Sequence, residues 1–251
     1  FQNPGGTTLS LDRRLELVRL SNKYGIPIVE DDPYGALRFE GEHLPPLVAL
    51  DADFQADAGL NGHGYMEGNV IYLGTFSKTL APGLRLGWVV APVEVVDRLV
   101  MAKQGTDLQT STFDQMLAWE MLKTGFLDEH INLIRRVYKE RRDIMLAAMG
   151  KYFPEGCSWT HPQGGLFLWA SLPEWLDTEP LLQDAIQAKV AFVPGFAFYA
   201  NPSRGRNSMR LNFSNALPEQ IEEGIRRLGL LLQARVAEHN RIHGVPDMPL
   251  A

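Results

Sequence analysis

Cysteine is nearly absent from this sequence, since Cys157 is the only one in 251 residues. A single cysteine cannot form an internal disulfide, and a chain of this kind fits a reducing compartment best. We therefore expect a cytoplasmic protein. The sequence also lacks an apolar run long enough to span a bilayer, so we expect no membrane partner.

An excess of positive charge is also lacking. The chain has 24 lysines and arginines against 30 acidic residues, which gives a formal net charge of -6. Nucleic-acid-binding domains usually carry a basic patch, so we expect no nucleic-acid partner. The six histidines have no ligand spacing and one cysteine is too few, so no metal site is predicted. Neither a Walker lysine pattern nor G-x-G-x-x-G is found.

The stretch from Gly74 to Trp88 is the most informative part of the sequence. An apolar run, 70–73, leads into a turn of small and hydroxyl residues that contains Lys78, and a second apolar run, 86–90, follows. Most lysines of this kind are simply exposed loop residues. The alternative is a desolvated lysine whose amine is nucleophilic and able to form a Schiff base. The neighbouring motifs decide between these two interpretations.

The beginning of the chain has the pattern of an α/β unit. Ser10 is a candidate N-cap for a helix that stops at Gly25. The apolar run 26–29 is typical of a buried parallel strand, and the polar segment with Asp31 and Tyr34 follows it. In such units, ligands bind at the carboxyl ends of the strands, so this polar segment is a candidate site.

The composition changes after Pro154, which predicts two domains. We predict an α/β domain in residues 1–125, a connecting helix in 126–153, a smaller α+β domain in 154–238 and a tail in 239–251. Residues from about Asp51 to Gly68 are rich in Asp, Ala, Asn and Gly and are predicted to be a surface insertion, with His63 as part of its loop.

Polar side chains recur at predicted strand ends and turns. They are Asn3, Asp31, Tyr34, Thr75, Ser77, Lys78, Arg85 and Arg210. Each signal alone is weak, since an asparagine before proline is usually a turn residue and an aspartate after a strand is often an N-cap. Arg210 is stronger evidence, because an arginine within the apolar strand 209–213 requires a buried anion.

Taken together and in this order, these motifs resemble the fold-type I pyridoxal phosphate enzymes, specifically the class I and II aminotransferases. The matching motifs are Asn3-Pro4-x-Gly6, Asp31-x-Pro33-Tyr34, Thr75-x-Ser77-Lys78 with Arg85, Pro194-Gly195-x-x-Phe198 and Arg210-Leu211-x-Phe213. The sequence is most similar to the 2-aminoadipate and kynurenine aminotransferase branch in the segments Phe1-Gln2-Asn3-Pro4 and Glu30-Asp31-Asp32-Pro33-Tyr34-Gly35-x-Leu37-Arg38-Phe39. The resemblance implies an α/β fold with a mainly parallel large domain and a smaller α+β C-terminal domain.

The resemblance also implies pyridoxal 5'-phosphate as the cofactor and assigns the residues around it. Asp31 would keep the pyridine nitrogen protonated, so that the ring can act as an electron sink. Tyr34 and Asn3 would bind the 3-oxygen of the ring, and Lys78 would form the Schiff base and shuttle the proton. The phosphate would be held by Thr75, Ser77 and Arg85. Lys78, Asp31 and Tyr34 are therefore the expected catalytic residues.

The substrates implied by the resemblance are an L-amino acid and a 2-oxo acid. The guanidinium fork of Arg210 would hold the substrate α-carboxylate, with Asn3 beside it. Aromatic, 2-aminoadipate-like and branched side chains all fit this branch. Members of the family are usually homodimers, so we expect a homodimer.

The sequence departs from the family pattern in two ways. Gly5 stands where threonine is common, which changes the turn only slightly. The family also has an upstream segment that supplies a phosphate turn, a ring-stacking aromatic residue and a substrate lid, and this segment is absent from the sequence. We therefore expect a fragment of a longer protein, in which residues 1–125 form the C-terminal part of the cofactor-binding domain.

Two alternatives to an aminotransferase remain open from the sequence. The same fold serves as the effector-sensing domain of some transcriptional regulators, fused to a DNA-binding module, and fold-level resemblance alone does not settle function. The other alternative is a different reaction on the same cofactor, catalysed by a lyase or decarboxylase. Arg210 argues against a decarboxylase, because a carboxylate held in the ring plane is poorly placed to leave.

Overall fold

The computed structural model describes residues 1–57 and 68–244. The chain forms two compact units, which we name after Lys78 and Arg210. The lysine unit is Thr8–Arg135, and the arginine unit combines Phe1–Thr7 with Arg136–Ala251. One helix, α5 (Phe126–Tyr152), continues from the lysine unit into the arginine unit. Within the described ranges, no helix combines the length and apolarity needed to cross a membrane.

The lysine unit contains a three-stranded sheet. Its strands are β1 (Ile28–Asp31), β2 (Val70–Thr75) and β3 (Gly87–Val90), and its helices are α1 (Leu11–Tyr24), α2 (Leu47–Asp57), α3 (Val93–Thr106) and α4 (Thr112–Leu122). Strand β1 pairs with β2 in parallel, and β3 pairs with β2 antiparallel. The parallel pairing predicted for β1 is confirmed. The predicted burial of β1 is not found at Val29, whose exposed fraction is 62% within the described residues.

Helix α1 begins and ends where the sequence predicts. The Ser10 side chain accepts a hydrogen bond from the Arg13 amide, and Gly25 ends the helix in the left-handed conformation, with φ of 63°. Such a φ is strained for residues with a Cβ, so glycine suits the cap. The helix buries Val18 against apolar residues of α2 and β2. This packing fixes β2, the strand that leads to Lys78.

The predicted surface insertion from Asp51 is wrong for residues 51–57, which form the second half of helix α2. The Asp51 carboxylate is fully buried, where it accepts hydrogen bonds from the Asn22 side-chain amide (2.7 Å) and from the Val70 amide (3.0 Å). The polar composition of residues 51–57 suggested a loop. In the structure, the hydrogen bonds of the buried Asp51 link α2 to α1 and to the first residue of β2. The rest of the predicted insertion, with His63, lies outside the described residues.

We expect Asp51→Ala to destabilise the protein by about 3 kcal/mol, because two buried donors lose their acceptor. The measurement is the free energy of unfolding in urea. Asp53→Ala is the matched control, since Asp53 lies on the same helix but is exposed. Equal stability of the two variants would show that Asp51 does not fasten β2.

The arginine unit is built on a four-stranded antiparallel sheet in the order β4–β5–β7–β6. Its elements after α5 are β4 (Ser158–Trp159), β5 (Phe167–Ser171), α6 (Thr178–Gln187), β6 (Val193–Pro194), β7 (Ser208–Asn212) and α7 (Pro218–His243). The central strands β5 and β7 bury Leu168 and Met209 completely, and α7 buries Leu228 and Leu232. Residues 239–243, predicted as tail, belong to α7, and residues 245–251 lie outside the described part.

Candidate active site

Lys78 lies in a tight turn directly after strand β2. The carbonyl oxygen of Phe76 accepts hydrogen bonds from the amides of Thr79, Leu80 and Ala81, at 3.3, 2.9 and 3.1 Å. Three amides on one carbonyl fix the backbone on both sides of Lys78. The lysine itself is partly buried, so its position is set by the fold rather than by a loose surface loop.

Thr75, Ser77 and Arg85 come together around this turn. The Thr75 hydroxyl lies 3.0 Å from the Ser77 hydroxyl oxygen and 3.0 Å from the Leu86 carbonyl, and it accepts a hydrogen bond from the Ser77 amide at 3.1 Å. Arg85 donates from Nη1 to the Ser77 hydroxyl at 3.5 Å and to the Pro82 carbonyl at 3.0 Å. We name Thr75, Ser77 and Arg85 the phosphate cradle.

The backbone at Arg85 explains how its side chain reaches the cradle. Residues Pro82–Leu84 form a short 3-10 helix, and Arg85 ends it with φ of 53°, in the left-handed region. This conformation is uncommon for a residue with a side chain, and it turns the chain back toward Ser77. Two hydroxyls and a guanidinium are suitable donors for a phosphate dianion. The residues present therefore fit a phosphorylated cofactor.

Asp31 and Tyr34 lie at the carboxyl end of β1. Asp31 is the last residue of this strand and stands opposite Leu73 in the parallel pairing with β2. The carboxyl ends of β1 and β2 therefore lie on the same edge of the sheet, which is where open α/β sheets bind ligands. Tyr34 accepts a hydrogen bond from the Leu37 amide at its carbonyl (2.7 Å), and Leu37 is fully buried. This anchor fixes the turn that carries both residues.

A cluster of polar side chains next to Asp31, formed by Glu30, Asp32 and Tyr72, was not predicted from the sequence. Glu30 accepts a hydrogen bond from the Val48 amide at 3.3 Å and lies 3.6 Å from the Arg14 guanidinium, and burial raises the pKa of its carboxyl. The Tyr72 hydroxyl donates to the Asp32 carboxylate at 3.4 Å. Burial, followed by the nearby charges of Asp32 and Glu30, raises the pKa of Tyr72 to about 12. No sequence signal links Tyr72 to Asp32, because strand pairing brings them together.

We expect the absorbance of tyrosinate at high pH to show a late step that is lost in Tyr72→Phe, near pH 12 rather than the ordinary value of about 10. The folded state holds this proton more tightly than the unfolded state. The stability contribution is therefore complete below pH 10 and is lost as the pH rises through the folded pKa. The control is the same titration of denatured protein. An absorbance difference between the wild type and Tyr72→Phe that appears near pH 10 in the folded protein would contradict the prediction.

Arg210 is surrounded by three side chains of the arginine unit. Its Nη1 donates a hydrogen bond to the Asn3 side-chain oxygen at 2.7 Å, and its Cζ lies 4.1 Å from the ring centre of Phe167 and 5.0 Å from that of Phe198. Asn3 and Arg210 are 207 residues apart in sequence, yet the structure places them in direct contact. Phe167 was not identified from the sequence, because nothing in its local pattern distinguishes it from a core residue.

The turn that carries Asn3 is held by close packing. Gly6 has φ of 68°, and a Cβ there would lie 2.9 Å from the Phe167 carbonyl oxygen and 3.0 Å from Pro162. The buried Arg142 donates a hydrogen bond to the Pro162 carbonyl at 2.7 Å and so fixes the loop that contains Pro162. Glycine at position 6 therefore allows the Asn3 turn to lie against the loop that leads into β5.

Three comparisons with known proteins bear on this site. The family model for aminotransferase class I and II matches residues 1–228. The aromatic-amino-acid aminotransferase 1 of Thermococcus litoralis is 47% identical over 228 residues, which are 91% of this chain and 51% of that protein. The crystal structure of the alpha-aminoadipate aminotransferase of Thermus thermophilus, complexed with N-(5'-phosphopyridoxyl)-L-leucine, is 40% identical, with a TM-score of 0.83 over 94% of this chain and 58% of that one.

A third relative has a different kind of name. It is an uncharacterized HTH-type transcriptional regulator of Bacillus subtilis, 37% identical over 226 residues, which are 90% of this chain and 43% of that protein. The chain spans about half the length of the curated relatives it matches.

Proposed function

The chain belongs to the class I and II aminotransferase family, and we propose that it acts in a pyridoxal phosphate-dependent transfer of an amino group from an L-amino acid to a 2-oxo acid. The predicted fold, fold-type I with mixed α/β architecture, is confirmed by the close likeness to aminotransferase structures. The predicted membership of the family is confirmed as well.

The phosphate cradle next to Lys78 is the observation that carries this proposal. Two hydroxyls and the Arg85 guanidinium converge within hydrogen-bonding range of one another, on the turn that also carries the lysine. A phosphate held there would place the cofactor at the turn that carries Lys78. A relative solved with a phosphopyridoxyl compound supports the same cofactor.

The cofactor would supply an electron sink for the charge left on the substrate Cα when its proton is removed. We assign the Lys78 amine to covalent attachment of the cofactor and to proton transfer at the substrate Cα. The Asp31 carboxylate would keep the pyridine nitrogen protonated, and Tyr34 and Asn3 would bind the 3-oxygen of the ring. Arg210 binds the substrate α-carboxylate, because its planar fork donates two parallel hydrogen bonds.

The proposed donors are aromatic, 2-aminoadipate-like or branched amino acids. Relatives named for aromatic amino acids, 2-aminoadipate and kynurenine support the aromatic and 2-aminoadipate-like donors. The regulator alternative is less favoured, because two relatives with aminotransferase names match at 47% and 43% identity, whereas two with regulator names match at 37% and 33%. A cytoplasmic homodimer completes the proposal, and a light-scattering mass equal to one protomer would exclude the dimer.

The test is the visible absorption spectrum of the protein expressed from its complete gene, before and after borohydride reduction. We expect an absorption band that is lost on reduction, with the pyridoxyl group fixed to the peptide that contains Lys78. Added amino-acid donors should remove the same band without borohydride. A protein that stays colourless with added pyridoxal phosphate would overturn the proposal, and a coloured protein that transfers no amino group would favour the regulator.

A further inference from the structure

The guanidinium of Arg210 lies over the faces of two phenyl rings, Phe167 and Phe198, which we name the aromatic slot. The groups around the Arg210 guanidinium differ in chemistry. Asn3 supplies an oxygen acceptor to Nη1, whereas the slot supplies only ring surface. An anion bound to Arg210 therefore meets apolar ring faces beside the guanidinium, and these faces limit the shape of the anion.

We propose that the aromatic slot makes Arg210 selective for planar carboxylates over tetrahedral anions of the same charge. The inference rests on the proposed function, in which Arg210 receives the substrate carboxylate. Phe167 and Phe198 are positioning residues in this proposal, since they act on the substrate through the geometry that they impose around Arg210.

The shapes of the two anions explain the selectivity. A carboxylate is flat, so both of its oxygens can accept hydrogen bonds in the plane of the guanidinium fork. A sulfonate that makes the same two contacts carries a third oxygen out of that plane. The face of an aromatic ring has negative potential, which attracts the cation and repels this oxygen. A charged oxygen buried against such a surface also has no donor to replace water.

The rings of the slot are fixed by the sheet and by a further aromatic residue. Phe167 is buried in β5, where Trp169 stands directly opposite Arg210 in the pairing with β7. Phe167 and Trp169 lie two residues apart, on the same face of the strand. Phe198 packs edge-on against Trp169, with ring centres 5.7 Å apart. This support keeps both phenyl rings beside Arg210 in the absence of substrate.

The experiment measures dissociation constants of 3-phenylpropanoate and 2-phenylethanesulfonate by calorimetry on the full-length protein with its cofactor bound. Both probes carry one negative charge and the same phenylethyl group. Neither has an amino or oxo group, so the readout does not depend on turnover. We expect the carboxylate to bind about tenfold more tightly than the sulfonate, as one poorly accommodated charged oxygen implies.

Variants identify the source of the selectivity. Phe167→Leu and Phe198→Leu should each bring the two dissociation constants to within about threefold, because an aliphatic side chain lacks the negative ring face. Phe196→Leu is the matched control and should keep the wild-type ratio. Phe196 lies in the same 3-10 turn as Phe198, but its ring lies against Arg206, 5.7 Å from that guanidinium carbon.

Each outcome decides the proposal. Equal affinity of the wild type for both probes would overturn it, and so would a tenfold ratio that survives in both slot variants. If a variant fails to fold, the ratio of the two dissociation constants of the wild type is the result that supports or overturns the proposal. A protein that transfers amino groups but binds neither probe would overturn the slot and leave the proposed function standing. Selective binding without amino-group transfer would support the slot and reject the proposed function.

Discussion

Lys78→Ala is expected to lower the rate of amino-group transfer by at least about 10⁴-fold. The variant loses both the amine that attaches the cofactor and the base that moves the proton at the substrate Cα. The phosphate cradle stays intact, because its hydrogen bonds involve Thr75, Ser77 and Arg85 and not the lysine side chain. We therefore expect the variant to bind the cofactor non-covalently while losing turnover.

The measurement combines a single-turnover assay with a cofactor titration. Lys123→Ala is the matched control, since Lys123 is an exposed lysine at the end of α4 that pairs with Glu120. The control should keep the wild-type rate. Turnover of Lys78→Ala within tenfold of the wild type would reject the role of Lys78 and with it the proposed reaction.

Asp31→Asn is the second substitution with a large expected effect, a loss of about 10³-fold in the rate of proton removal from the substrate. Asparagine keeps the shape of aspartate at the end of β1 but carries no charge, so it cannot hold a proton on the pyridine nitrogen. We expect the affinity for substrate to change little, because Arg210 is not altered. The rate is measured with substrate deuterated at Cα, and the isotope effect should increase as this step becomes limiting.

Asp32→Asn is the control for this experiment, because it makes the same chemical change one residue along the chain. Asp32 accepts a hydrogen bond from Tyr72 and would collide with a Cβ at position 35, so its role is to shape the turn. We expect less than a tenfold loss of rate, since an amide oxygen can still accept from a phenol. Equal losses in the two variants would show that Asp31 acts only through the turn.

Much of the fold was predictable from local chemistry. Ser10 and Gly25 identified the ends of α1 because capping depends on residues within one helical turn. The α2 helix was missed because its polar composition suggested a loop, whereas Asp51 and Gln55 are buried by partners distant in sequence.

The candidate site was predictable in its list of residues but not in its contacts. Motif order selected Asn3 and Arg85, and Arg210 was also indicated by its place within an apolar strand. The contact between Asn3 and Arg210 depends on tertiary structure, and so does the place of Phe167 beside the guanidinium. An apolar residue in an apolar strand gives no local sign that its ring faces a cation.

The division of the chain into units has a consequence for synthesis on the ribosome. Residues 8–135 of the lysine unit are contiguous, so they can fold as soon as they have emerged. Residues 1–7 emerge before the lysine unit but must wait for residues 136–251 before their own unit can close. The Asn3–Arg210 contact therefore forms only after Arg210 has left the ribosome, by which time the phosphate cradle can already be in place.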